Sequence, residues 1–417
     1  MKILVIGGGG REHAIVHALR RSPRVSEVYC APGNGGIASE AVCVPIKATD
    51  IEALTEYAEK ERFDLVMVAP DDPLAMGLVD ALEAKGIRAF GPHANAAIVE
   101  SSKAFSKALM QKYGIPTAKY AVFTEMNAAL RYIRAEGAPI VVKADGLALG
   151  KGVTVAQSVE EAEAAVRAMM EDRKFGDSGA TVVIEECMVG PEVTVLAFTD
   201  GETVVPMLSS QDHKRAFDGD EGPHTGGMGA FCPSPKYTPE IADYCMEHIF
   251  RPTVDALKAE GRTFKGVIYF GLMLTKDGPK VVEYNARFGD PETQPILSML
   301  ETDLVDIFDA VIDGRLAELD IRWKSGAACC VVMASGGYPT GYKTGFPISG
   351  LDAVPEGVFV YHAGTKKENG GYLTSGGRVL GVTAAAETLP DAIEKAYAGV
   401  KNIRFTDEHH RTDIGRK

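Results

Sequence analysis

Met1-Lys2-Ile3-Leu4-Val5-Ile6-Gly7-Gly8-Gly9-Gly10-Arg11-Glu12-His13-Ala14 opens the chain. Ile3–Ile6 is an unbroken apolar run, which reads as a strand buried on both faces; four glycines then turn the chain into a helical pattern over Glu12–Arg21. A buried strand feeding a helix is the first half of a βαβ unit, and the rhythm repeats. Val25–Cys30 reads as a strand closed by Ala31-Pro32-Gly33-Asn34-Gly35-Gly36, Ile51–Glu61 as a helix, Asp64–Ala69 as a strand, Pro73–Lys85 as a helix and Arg88–Phe90 as a strand. The expectation for residues 1–100 is a parallel, doubly wound sheet. Ligands of such sheets sit beyond the carboxyl ends of the strands, where this chain carries the glycines at 7–10 and 33–36 and the pair Asp71, Asp72.

The remaining chain changes character twice. A helix is expected over residues 101–113, with Ser101 or Ser102 as N-cap and Gly114 near its end. Tyr120–Phe123, Ile140–Ala144, Val153–Ala156 and Thr181–Glu186 read as strands, with helices at Ala128–Glu136 and Val159–Met170, which makes a small α+β module. A strand-rich stretch over residues 192–290, with a helix at Pro239–Glu260, and a helical stretch over residues 298–314 follow. After Trp323 the strand Ala327–Ala334, several Gly/Pro turns and a helix at Pro390–Lys401 suggest a separate C-terminal domain. The domain expectation is 1–100, 101–325 with a smaller unit at about 120–190, and 326–417.

Bulk properties exclude several classes. With 417 residues and 46% apolar composition the chain can bury a sizeable core. Its formal charge of −13 comes without a basic stripe, which argues against nucleic acid as a partner. No apolar run approaches the roughly 20 residues needed to span a bilayer, so no membrane role is expected. Seven cysteines, an odd number with no C-x-x-C spacing, indicate neither a disulfide framework nor a zinc site and fit a reducing, cytoplasmic setting.

Five motifs carry chemistry. The first glycine loop can hold an anion through its N–H groups and helix dipole, but G-x-G-x-x-G would need glycine at Glu12 or His13, so a phosphate turn is expected and nicotinamide binding is not. Lys143-Ala144-Asp145-Gly146-Leu147-Ala148-Leu149-Gly150-Lys151-Gly152-Val153 reads as a hairpin able to fold over a triphosphate; it lacks the G-x-x-x-x-G-K-[ST] order. Lys143 lies in an apolar strand, where an unpaired ammonium would be costly, and Lys103 lies in the first turn of a helix, where the dipole disfavours a cation; both are better explained by an anion. Thr181–Glu186 followed by Cys187-Met188-Val189-Gly190-Pro191-Glu192 is a strand–linker–strand whose backbone can run along an adenine edge, with Glu192 near ribose hydroxyls.

The strongest motif is Val281-Val282-Glu283-Tyr284-Asn285-Ala286-Arg287-Phe288-Gly289-Asp290-Pro291-Glu292. Glu283, Asn285 and Arg287 alternate along a strand and share a face; the first two are hard oxygen donors suited to Mg²⁺, and the third can stabilise a transferring phosphoryl group. The fifth motif joins Ser210-Gln211-Asp212-His213-Lys214-Arg215 to Gly222-Pro223-His224-Thr225-Gly226-Gly227-Met228-Gly229. Neither His213 nor His224 is assigned a catalytic role, since loop histidines are more often structural.

Taken in order, these motifs, together with Ser102-Lys103-Ala104-Phe105, His362-Ala363-Gly364-Thr365-Lys366 and Ser375–Thr383, resemble the ATP-grasp superfamily and, within it, the glycinamide ribonucleotide synthetase (phosphoribosylamine–glycine ligase) family. The resemblance spans nearly the whole chain. It implies a Rossmann-like N-terminal domain, an ATP-grasp core with an inserted lid and a small C-terminal α+β domain. It implies ligation of glycine to 5-phosphoribosylamine with ATP, through glycyl phosphate, in de novo purine synthesis, with Mg²⁺ or Mn²⁺ and a monomer or weak dimer.

By position the resemblance places Lys103, Lys143 and the loop holding Gly150, Lys151 and Gly152 on ATP phosphates. Glu185, Glu186 and Met188 fall on adenine, Glu192 on ribose, and Glu283 and Asn285 on the metal. Gly9, Gly10 and Arg11 fall by the phosphoribosyl group, and Asp212, Lys214, Thr225, Arg287 and Asp290 at the reacting centre, with Lys143, Arg287 and Asp212 as catalytic residues.

Three departures from the family pattern stand out: Asp71 where glutamate is expected, His224 where asparagine is common, and Tyr269-Phe270-Gly271 without the acidic metal ligand that many relatives carry there. Other ATP-grasp ligases of nucleotide synthesis, such as an aminoimidazole ribonucleotide carboxylase or a formate-using transformylase, would share Glu283, Asn285 and the lid but not the fifth motif. A non-catalytic nucleotide binder would not need Lys143, Glu283 and Asn285 together. A nicotinamide oxidoreductase is opposed by Glu12.

Overall fold

The computed structural model describes residues 1–148 and 152–416. Its N-terminal sheet is fully parallel, in the spatial order Val42–Cys43, Glu27–Pro32, Lys2–Gly7, Leu65–Val68, Ala89–Phe90. Ile3, Leu4, Val5 and Ile6 are completely buried because helices cover both faces. The helix after the glycines runs Gly10–Arg20 and is fixed by Glu12, whose carboxylate accepts the Gly9 N–H at 2.6 Å. The side chain that breaks the dinucleotide pattern is therefore a helix cap.

Two expectations here need adjusting. Pro73–Lys85 is two helices, Asp71–Ala75 and Leu78–Ala84, because Gly77 adopts φ +86° between them. The short edge strand Val42–Cys43 and the helix Ala94–Ser101 were not anticipated.

Residues 120–186 fold as an antiparallel sheet in the order Tyr120–Phe123, Val182–Glu186, Ile140–Ala144, Val153–Ala156. Helices Met126–Glu136 and Val159–Met170 cover it, and its hydrophobic core is its own, built on Leu130, Ile133, Val142, Val166 and Ile184. A unit with a private core can move as a body.

The central antiparallel sheet runs Val204–Pro206, Glu192–Thr199, Gly266–Thr275, Gly278–Asn285. Its core is continuous with that of the N-terminal sheet: Phe90 stacks on Phe308 at 4.0 Å, and Phe288 packs between Phe90 and Phe198. The long helix expected over Pro239–Glu260 is present but widened by a five-residue turn over Met246–Phe250, next to Pro252, which has no N–H to donate. The stretch expected to be helical over residues 298–314 holds the helix Leu304–Ile312, and a separate short helix, Thr293–Ser298, precedes it.

The last sheet crosses the chain. Gln211–Asp212 and Gly229–Cys232 from the middle region pair with Ala327–Ala334, which pairs in turn with Arg378–Ala386 and Val358–His362. The helix Leu389–Val400 packs on Ala327–Ala334 and Arg378–Ala386. The fifth motif is thus hydrogen-bonded directly into the C-terminal unit.

Candidate active site

Lys103 begins the helix Lys103–Tyr113, capped by Ser102, whose hydroxyl accepts from the Phe105 N–H. Asp145 grips this helix start: one carboxylate oxygen accepts from Ala104 N–H at 2.7 Å, and its carbonyl accepts from Lys103 N–H. The Lys103 ammonium rests on the Gly146 carbonyl at 3.1 Å. Burial lowers its pKa, against the pull of Glu283. A half-satisfied ammonium beside the glycine-rich loop is suited to an incoming phosphate.

Behind it lies a charge cluster that the sequence did not announce. Lys143 is ion-paired with Glu185 Oε2 at 3.0 Å and donates to the Val282 carbonyl at 3.2 Å. Lys107 reaches the same Glu185 oxygen at 3.1 Å and the Thr117 hydroxyl at 2.7 Å. All three side chains are 5% exposed or less, and burial brings the Lys107 pKa down to about 8. Glu185 Oε1 is buried with no hydrogen bond. The carboxylate of Glu185, a residue expected beside adenine, is buried against two lysines. Glu186 is exposed and accepts from Lys119 N–H, Met188 lies in the following linker, and Glu192 starts the next strand. Gly150 and Lys151 lie outside the described residues; Gly152 is buried, where a Cβ would lie 2.7 Å from that of Ala148.

On the strand Gly278–Asn285 the polar alternation is real but is reset by a bulge: Gly271 faces Glu283 while Leu272 faces Val281, leaving Val282 unpaired. The bulge frees the Val282 carbonyl for Lys143 and turns Glu283 toward the cations. Burial opposes ionisation of Glu283, but Lys214, Lys143, Lys103 and Arg287 outweigh it and hold the carboxyl below its usual value. Asn285 Oδ1 takes a 3.3 Å hydrogen bond from Arg287, which is ion-paired to Glu100 at 2.7 Å. Glu100 also accepts from Ala286 N–H, and burial raises its pKa to about 6. The residue facing Glu283 is Gly271, where a Cβ would come within 3.1 Å of the Glu283 side chain.

Lys214 links this strand to the fifth motif, lying 3.0 Å from Glu192 and 3.6 Å from Glu283. Thr225 closes its loop by donating to the Lys214 carbonyl and accepting from Gly227 N–H. Asp212 is packed against Gly227, and its Oδ1 is buried without a partner. Burial and the neighbouring Glu292 push the Asp212 carboxyl well above the ordinary range.

A cleft of about 500 Å³ opens beyond the N-terminal strands, lined by Gly8, Gly9, Arg11, Lys47, Thr49 and Asp290 among others. Arg11 is held by Glu12 at 2.6 Å and the Phe288 carbonyl at 3.1 Å. Gly10 lies beside Asp290 and Gln294. The second glycine loop serves a different purpose. Asn34 donates to the carbonyls of Gly8 and His362, and a Cβ on Gly36 would fall 2.3 Å from the His362 ring. Gly36 is required by the C-terminal unit packed on it.

Family models for phosphoribosylglycinamide synthetase match this chain three times: the N domain over residues 1–100, the ATP-grasp (A) domain over 101–293 and the C domain over 328–417. The chain belongs to the phosphoribosylglycinamide synthetase family. Curated relatives named phosphoribosylamine–glycine ligase include one from Caldanaerobacter subterraneus subsp. tengcongensis, 48% identical over 99% of both chains, and one from Allochromatium vinosum, 51% identical over 100% of this chain and 98% of its own. The crystal structure of phosphoribosylamine–glycine ligase from Thermotoga maritima superposes with a TM-score of 0.87 at 31% identity, covering 99% of this chain and 100% of that one. The biotin carboxylase domain of the Hydrogenobacter thermophilus 2-oxoglutarate carboxylase, solved with MgADP and bicarbonate, shares the fold at a TM-score of 0.76 and 18% identity, covering 98% of this chain and 91% of that one.

Against the family pattern, Asp71 uses Oδ1 on the N–H of Asp72. His224 Nε2 is buried without a partner, and burial lowers its pKa to about 4. His213 is structural: its ring nitrogens contact the Gly229 carbonyl and the Gly415 N–H, which requires the neutral ring with the proton on Nδ1. Lys107, Glu100, Glu292 and Arg378 were missed. Lys107 was legible, one helical turn beyond Lys103; the others owe their roles to distant segments.

Burial lowers the pKa of His213 from 6.5 to about 4 and that of His362 to about 3. A depressed folded-state pKa contributes stability that is complete above 6.5 and is lost as pH falls toward the folded value. Each of these histidines is therefore expected to cost about 2 kcal/mol between pH 7.5 and pH 5. Urea unfolding at the two pH values should show a smaller acid loss in His213→Gln than in the unaltered chain; equal losses would remove His213 from this account.

Proposed function

We propose that this protein ligates glycine to 5-phosphoribosylamine, converting ATP to ADP and phosphate and releasing glycinamide ribonucleotide. The observation that carries the reading is the meeting of two substrate spaces at one strand. Lys103 and Lys143 act on Glu283 from the nucleotide side, Arg287 acts on it from the other, and the cleft of Gly9, Arg11 and Asp290 opens beyond the N-terminal strands. The full-length relatives bear the name of this reaction.

In this reading the glycine carboxylate attacks the γ-phosphorus, giving glycyl phosphate and ADP. The amine of phosphoribosylamine then attacks the acyl carbon, phosphate leaves, and one proton is lost from nitrogen. Side chains take little covalent part; they position, neutralise and keep water from the acyl phosphate. Lys103 and Lys143 hold ATP phosphates, with the 146–152 loop over them. The linker around Glu185, Glu186 and Met188 takes adenine and Glu192 the ribose. Gly9, Gly10 and Arg11 seat the phosphoribosyl group. Asp212, Lys214, Thr225, Arg287 and Asp290 surround the reacting atoms, with Asp212 the acceptor for the amine proton.

Glu283 and Asn285 fit Mg²⁺ or Mn²⁺: both are oxygen donors on one face, and Glu283 stays ionised. Among the described residues no group of three or more His, Cys, Asp or Glu could hold a metal ion; Glu283 and Asn285 would hold the ion together with the nucleotide. When bound, the ion neutralises charge on the β- and γ-phosphates.

No helix among the described residues is long and apolar enough to cross a membrane, and the seven cysteines are free thiols, which supports cytoplasmic residence. The domain division 1–100, 101–325 and 326–417 belongs to the same reading.

The test is ADP release with ATP and Mg²⁺, supplying glycine and freshly made phosphoribosylamine together and omitting each in turn. Turnover is expected only with both. ATP consumption indifferent to glycine would overturn the substrate assignment.

A further inference from the structure

Arg378 is a guanidinium that the C-terminal unit places against Asp290 and the 226–227 backbone. It lies on the strand Arg378–Ala386, in a motif that the reaction above leaves without a task. Its Nη1 donates to the carbonyls of Gly226 at 2.6 Å, Asp290 at 2.7 Å and Gly227 at 3.3 Å. Its Nη2 lies 3.2 Å from Asp290 Oδ2. Tyr338, also C-terminal, accepts from the Gly226 N–H at 3.0 Å. Three segments distant in sequence are therefore tied at one planar group.

The tie has consequences on both sides. Asp290 lines the amine cleft beside Gly9 and Gly10, and its second oxygen is held by Gln294 at 2.8 Å, so its carboxylate is aimed from two directions. The Gly226–Gly227 backbone is the wall against which Asp212 Oδ1 rests; a Cβ on Gly227 would lie 2.7 Å from that oxygen. Only a forked donor serves two loop carbonyls, a third carbonyl and a carboxylate at once; an ammonium is a point charge.

We infer that Arg378 is a positioning residue for the amine half-site: it sets Asp290 and the 222–229 loop relative to each other, and so sets how phosphoribosylamine is presented. This rests on the ligase reading above. The hydrogen-bond and ion-pair partners of Arg378 are Gly226, Gly227 and Asp290, all on the amine side. A displacement of about 1 Å at a reacting group can cost on the order of 100-fold.

The experiment compares Arg378→Ala, Arg378→Lys and Tyr338→Phe with the unaltered enzyme in steady-state kinetics, with ATP affinity by titration and Tm measured alongside. Arg378→Ala is expected to lower kcat/KM for phosphoribosylamine about 100-fold, with the KM for ATP and its Kd changed less than about 2-fold. Arg378→Lys should recover only part of the loss, and Tyr338→Phe should give a smaller loss on the same substrate. An equal fall across all three substrates, or full rescue by lysine, would overturn the inference. If Arg378→Ala does not fold, the lysine and Tyr338→Phe variants decide it by the same substrate split. Failure of the unaltered enzyme to require both substrates would count against the ligase reading instead.

Discussion

Glu283→Ala is expected to leave a folded protein whose ADP release falls about 100- to 1,000-fold, the range seen when one preorganised electrostatic group is removed from a reacting centre. Glu283 is surrounded by Lys214, Lys143, Lys103 and Arg287, and these cations hold its carboxyl ionised against burial. Removing it takes away the ionised member of the proposed metal pair and leaves the lysines to repel one another. The strand should survive, because its ladder to Gly266–Thr275 is backbone-made and its buried anchors are Val281 and Tyr284. Glu283→Gln isolates charge from shape and should also be severely impaired. Circular dichroism would verify the fold, and activity near that of the unaltered chain would remove Glu283 from the mechanism.

The second large effect is on stability. Glu185→Ala is expected to destabilise the protein by about 3–5 kcal/mol, because it strands two buried ammonium groups that share one carboxylate. Lys107 and Lys143 both lie within 3.1 Å of Glu185 Oε2, and neither has another carboxylate among its salt-bridge partners. Desolvating a charge without a partner costs far more than the net worth of the pair. Lys107→Met in the Glu185→Ala background should therefore recover part of the loss, since only Lys143 then remains uncompensated. ATP affinity should weaken as well, as Lys143 loses the group that aims it. Urea denaturation midpoints measure the first effect and nucleotide titration the second; a loss below about 1 kcal/mol would show that water reaches the cluster.

Local chemistry in the sequence was enough for four of the five strands of the N-terminal sheet, the edge strand Val42–Cys43 being the exception, and for the unit over residues 120–186. Ile3–Ile6 is apolar because both faces are covered, and the strands and helices of residues 120–186 follow their own periodicities over a core made within that unit. Ser102 and Gly114 acted as helix punctuation in ways the chain itself declares, while the capping role of Glu12 emerged only from the fold. The pairing of Glu283 with Asn285 was legible because alternation in a strand is a property of adjacent residues.

What tertiary structure decided is where those residues point and what they meet. A bulge at Val282 turns Glu283 toward the lysines, and nothing in a linear reading of Val281-Val282 predicts it. Glu185 faces inward onto Lys107 and Lys143 because its strand lies between Tyr120–Phe123 and Ile140–Ala144. Gly36 is glycine because His362, more than 300 residues away, occupies the space of a side chain. Arg378 enters the site because Gly229–Cys232 pairs with a C-terminal strand. Periodicity and capping are encoded between near neighbours, so the sequence alone carries them; ion pairs, orphaned carboxylate oxygens and backbone ties form between segments that only the folded chain brings together.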